Sequence, residues 1–96
     1  MKMYGVNLVP VFMELRRLGL IESERRFGPW IGRGPDYYRD HGRADGYARV
    51  APRTALRLRR QLQDLARRLP PGLRSEVEAI SKRLERDATV ATMLAR

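Results

Sequence analysis

The side chains best placed to do chemistry are arginines. Eighteen of the twenty cations are arginine, and against eleven acidic residues they give the chain a net charge of +9. A guanidinium is planar, permanently charged and carries a fork of N–H donors that matches phosphate oxygens, so the bias points to an acidic partner, nucleic acid foremost. GC-rich codon usage enriches arginine without any partner, so position has to decide. Residues 51–72 hold Arg53, Arg57, Arg59, Arg60, Arg67 and Arg68 against a single acid, Asp64. On a helix Arg53, Arg57, Arg60, Arg67 and Arg68 crowd the polar side, with Arg59 nearer the flank. Such density repels itself unless a polyanion relieves it, which favours a phosphate-tracking surface over a merely solvated face. Arg33, Arg39 and Arg43 form a sparser second set, placed to grip a phosphate backbone on either side of a groove. Between them stand Asp36 and Asp40, with Tyr37. Carboxylates there repel phosphate, and in direct base readout they accept a hydrogen bond only from cytosine.

Other chemistries are poorly supplied. The chain has no cysteine, which removes thiol nucleophiles, disulfides and zinc–thiolate sites together. Its one histidine, His41, shares a helix with Asp36 and Asp40 in no recognised ligand spacing, so neither a metal nor any other cofactor is expected. Gly28, Gly32 and Gly34 lack the lysine and Ser/Thr of a phosphate loop. No nucleophile, base and orienting group can be assembled, so an enzyme with a small-molecule substrate is not expected. Phe27, Trp30, Tyr37 and Tyr38 could stack on bases, but helical spacing predicts core, with Tyr37 exposed. No run of about 18 uncharged apolar residues and no signal-peptide pattern occurs, so no membrane partner and a cytoplasmic location are expected.

The elements that must position these residues read as helices. Pro10, then Val11, Phe12, Leu15 and Leu18, stopped by Gly19, predict a helix over 9–18. Ser23 is an N-cap for a second helix over 24–31, ended by Gly32, and Pro35 with Asp36 opens a third over 35–41. Residues 42–50 read as a loop. Pro52 opens a fourth helix over 52–69, striped by Ala55, Leu58, Leu62, Leu65 and Leu69 and stopped by Pro70, Pro71 and Gly72. Ser75 and Glu78 form a capping-box pattern ahead of a fifth over 75–94. Two long helices with a short connection pack as an antiparallel hairpin. The expected fold is all-α: an N-terminal region, 1–50, and a hairpin, 51–96, in one compact unit. In the last helix Val77, Ile80, Leu84, Ala91 and Leu94 form a stripe that predicts a homodimer seam, with packing against 52–69 as the competing use.

Phe27, Gly28, Ile31, Gly32 and Tyr38 share one register: apolar, small, apolar then glycine, and apolar six residues on. In this, residues 11–70 resemble the helix-turn-helix of the lambda-repressor-like family. The resemblance implies a helix-turn-helix bundle in 1–50, with the third helix reading duplex DNA as a dimer in transcriptional regulation. The expected DNA-binding set is Arg33, Asp36, Tyr37, Arg39, Asp40 and Arg43, with Arg53, Arg57 and Arg60 on phosphates. Two alternatives stand: an interaction module whose acidic third helix meets a basic protein partner, and a structured-RNA binder.

Overall fold

The computed structural model describes residues 2–94. The fold is all-α, apart from one two-stranded pairing. Helix α1 spans Gly5–Arg17 and buries Leu8, Val11, Phe12 and Leu15. It starts four residues before the position that Pro10 suggests, because its free first-turn amides find distant acceptors. Gly5 donates to the Ala48 carbonyl at 2.7 Å and Val6 to that of Gly46 at 2.8 Å. The Tyr4 amide donates to Asn7 Oδ1 at 2.8 Å. Ahead of it, β1 (Met3–Tyr4) pairs antiparallel with β2 (Arg49–Val50), Met3 opposite Val50. The expected 42–50 loop thus ends in a strand, and it does so by capping α1.

Helix α2 (Glu24–Trp30) buries Phe27 and tolerates Pro29 in its last turn, where one missing donor costs a single bond. Gly32 follows at φ +80°, the left-handed backbone that closes such a helix. Gly28 lies so close to Gly34 that an added Cβ would overlap the Gly34 carbonyl oxygen. Phe27, Ile31 and Tyr38 are all buried, and the Phe12, Phe27 and Tyr38 rings pack together within 5.7 Å of one another. The small-residue and turn positions of the motif therefore have the geometry that their residue types demand.

The third predicted helix, 35–41, forms differently. Its backbone bonds lengthen along the chain: Tyr37 to Gly34, Asp40 to Asp36, then Ala44 to Arg39. The segment opens as a tight turn and ends as a π-helical turn over Arg39–Arg43. Tyr37 and Tyr38, adjacent in sequence, are both buried, whereas a surface helix normally turns one of two neighbours outward.

Helix α3 (Pro52–Arg67) buries Thr54, Ala55, Leu58, Leu62 and Ala66. Helix α4 (Pro71–Leu94) begins four residues before the Ser75 capping pattern, since proline suits a first helical turn. Arg74 of α4 donates to the carbonyls of Ala66 and Leu69, closing the end of α3. Arg59 pairs with Glu85. Contacts between 66 and 74 and between 59 and 85 fix an antiparallel hairpin. On its other side α4 meets α1, where Arg17 pairs with Glu76 and Lys2 with Thr92, again antiparallel. Helices α1 and α3 therefore run parallel, with α4 packed against both.

Candidate nucleic-acid interface

Three elements build a basic surface: the turn after α2, the first two turns of α3, and the residues between β2 and α3. Pro52 in the first turn of α3 starts the helix without a side-chain cap. The stripe of Ala55, Leu58 and Leu62 faces the core, so Arg53, Arg57 and Arg60 stand outward. The α2 turn is tied to this face by Gln61, whose Nε2 donates to the Trp30 carbonyl at 2.7 Å. Arg57 lies across Gly32, its Cδ 2.9 Å from where a Cβ would stand. A recess of about 460 Å³ results, lined by Ile31, Gly32, Arg33, Ala51, Arg53, Thr54 and Arg57. A second, of about 340 Å³, adjoins it through Arg53 and Arg57 and continues to Leu56, Arg60 and Gln61.

Ion pairing divides the arginines predicted as phosphate contacts. Arg39 faces Asp40 at 3.1 Å and Asp36 at 3.6 Å, and Arg43 faces Glu24 at 2.8 Å. Arg25 reaches Asp36 at 3.0 Å. On α3, Arg59 and Arg68 are engaged by Glu85 and Asp64. Among the described residues Arg33, Arg53, Arg57 and Arg60 have no carboxylate partner, and these are the four that line the two recesses. Arg67 faces another recess with Gln63, Arg74 and Glu78. The single arginine face read from 52–69 is thus two separate surfaces, and the one around Arg53, Arg57 and Arg60 extends to Arg33.

Several expectations need correction. Tyr37 is 7% exposed rather than presented to solvent. It stacks on His41 with ring centroids 4.5 Å apart, and the Arg33 guanidinium lies 5.0 Å above its ring. Burial pushes the Tyr37 hydroxyl's pKa upward, while the charge of Arg33 pulls it down. Burial likewise raises that of Tyr38. Asp36 and Asp40, about half exposed, are each paired with arginines, which offsets the acidity expected of this segment. Of the five residues expected in a dimer seam, Val77, Ile80 and Leu84 lie inside the chain's own core, covered by α1 and α3. Ala91 and Leu94 instead join Val6, Val9, Met13 and Val90 along an open groove of about 680 Å³ between α1 and α4. Among the described residues no three His, Asp or Glu side chains converge on a metal-sized site, and no helix is long and apolar enough to cross a membrane.

Thr54 was missed as a site residue. It falls on the Leu58 and Leu62 side of α3, a position that marks it as buried, and it lines the larger recess. No family model matches this chain, and neither curated proteins nor solved structures include a match to it.

Proposed function

We propose that the protein binds duplex DNA through phosphate contacts made by Arg33, Arg53, Arg57 and Arg60, and that it regulates transcription by occupying its site. The observation that carries this reading is the distribution of pairing. Among the described residues the acids engage Arg17, Arg25, Arg26, Arg39, Arg43, Arg59, Arg68, Arg83 and Arg86, and of the arginines without a carboxylate partner these four stand together along two adjoining recesses. Uncompensated cations held together destabilise a protein alone and favour a polyanion. Pairing of Asp36 and Asp40 with Arg25 and Arg39 offsets the negative charge that would favour a module docking a basic protein. The helix-turn-helix resemblance adds the Gly28 approach and the Gly32 turn, while the paired carboxylates and π-turn of 35–43 favour backbone contacts over base reading. Two copies would supply two half-sites, and the α1–α4 groove with Ala91 and Leu94 is the apolar surface left for their contact.

Fluorescence anisotropy with labelled duplex across a salt series tests the proposal. Three or four phosphate contacts, according to whether two of the arginines share one phosphate, give a slope of log affinity against log salt of about −2.7 to −3.6, at roughly −0.9 per phosphate. Arg60→Gln flattens the slope by about one unit, and Arg57→Gln by up to as much, on every sequence alike, because a phosphate contact carries no sequence information. Asp36→Ala frees Arg25 and strengthens binding to random duplex. Equal affinity for duplex and for an uncharged control, or a slope indifferent to Arg57 and Arg60, overturns the reading. Tighter binding to structured RNA than to duplex DNA replaces the partner.

A further inference from the structure

The larger recess has the features of a seat for one phosphate group. Helix α3 presents two backbone amides there with no acceptor among the described residues. Pro52 has no N–H, and the first bond within the helix is made by Ala55 to Ala51, leaving the Arg53 and Thr54 amides free. A helix start of this kind carries partial positive charge and aims its N–H groups outward, which suits an anion. The second observation is Thr54 itself. It is only 5% exposed, it lines the recess, and its hydroxyl has no hydrogen-bond partner among the described residues. The residue is buried, but its oxygen is not sealed off, since His41 Nδ1 is the buried side-chain polar atom left without a partner among the described residues. The Thr54 hydroxyl therefore opens to the recess and is free to meet a ligand atom there. Arg33 and Arg57 stand at the rim without carboxylate partners, and Arg57 is placed by the Gly32 backbone beneath it.

We infer that this recess binds a single phosphate group, through the Arg53 and Thr54 amides, the Thr54 hydroxyl, and the Arg33 and Arg57 guanidinium groups. The assignment rests on the nucleic-acid reading of this face and refines it. One phosphate of the backbone is seated and fixes the register of the protein on its partner, while Arg53 and Arg60 meet neighbouring phosphates in the open. A diester within a strand and a terminal monoester present the same oxygens to these donors, and the arms of the test separate them.

Titration of the full chain with inorganic phosphate, read by amide NMR, tests the seat directly. Saturable shifts of the Arg53 and Thr54 amides at a common midpoint are expected. Thr54→Val, which keeps the shape and removes the hydroxyl, should weaken phosphate about 5–10-fold, and Thr54→Ser should restore it. Unchanged melting of Thr54→Val excludes a folding effect. Shifts that are linear in phosphate and spread over Arg16, Arg49 and Arg67 as well overturn the inference, since they report diffuse charge. In the second arm, duplexes carrying one methylphosphonate at each position in turn should show a single position whose loss exceeds all others in wild type and not in Thr54→Val. Preference for a duplex with a 5′-phosphate over its hydroxyl counterpart, with a flat methylphosphonate scan, identifies the terminal monoester as ligand. Duplex binding with a flat scan and no saturable amide shift rejects the seat and leaves the arginine face standing. Saturable phosphate binding without duplex binding does the reverse.

Discussion

Tyr37 and Tyr38 show how neighbouring residues report the packing around them. Both hydroxyls are shifted upward by burial. A raised folded pKa means that the protonated ring is favoured in the fold, so this stabilisation is complete below the ordinary tyrosine value near 10. It disappears as the pH climbs through the raised value. Alkaline melts should therefore fall above that range, and Tyr37→Phe should fall less steeply, measured by circular dichroism. At Gly28 the expectation concerns space: Gly28→Ala forces the Gly34 carbonyl away and should cost about 2–3 kcal/mol in denaturant unfolding, as overpacking does. The Gly28 and Gly32 roles were legible because small residues and left-handed turns leave a mark in residue type. Exposure of Tyr37 was misread, since spacing on a regular helix does not apply to a segment that ends in a π-turn.

At the level of elements, α4 carries the clearest mutational contrast. Leu84 is 1% exposed between α1 and α3, so Leu84→Asp buries an unpaired carboxylate and should cost roughly 3–5 kcal/mol, enough to unfold a marginal domain. Leu94 is 80% exposed on the α1–α4 groove. Leu94→Asp should leave melting unchanged and lower the mass seen by light scattering wherever the wild type self-associates. Loss of self-association by Leu84→Asp with intact melting would restore the original seam. The two long antiparallel helices were readable from the leucine stripes and prolines, because local sequence dictates them, whereas their register is set by contacts such as Arg74 to the end of α3. Three other features were not readable. The early start of α1 depends on carbonyls of Gly46 and Ala48, forty or more residues away along the chain. The β1–β2 pair is too short to leave an alternating pattern. A stripe on one helix does not say which surface will cover it, and here α1 and α3 share that task. The arginine face was visible as composition, whereas which arginines stay unpaired is decided by acids brought near through tertiary folding.

Across the whole molecule, charge and connectivity set the response to solution conditions. The Glu14 carboxyl lies below its ordinary value, chiefly through the hydrogen bond from Arg17, aided by the charges of Arg17 and Arg83, with desolvation opposing. A lowered folded pKa stabilises the protein above the ordinary carboxyl range, and that contribution is lost as the pH falls through the depressed value. Glu14→Gln should accordingly melt lower than wild type at neutral pH and converge with it in acid. At net charge +9, added salt should also raise the melting temperature by screening repulsion, and a short duplex should raise it further if it binds only the folded state. One contact made near the two ends of the chain carries a separate consequence. The Lys2 amide donates to the Thr92 hydroxyl, which in turn donates to the Lys2 carbonyl. Positions ninety residues apart already meet, so a peptide ring closed between them by a short linker would ask little of the native geometry and would mainly restrict the unfolded chain. Such a circular form should unfold at higher temperature than the linear protein, and its helices could be opened by proteolysis at the α3–α4 turn without separating into two pieces.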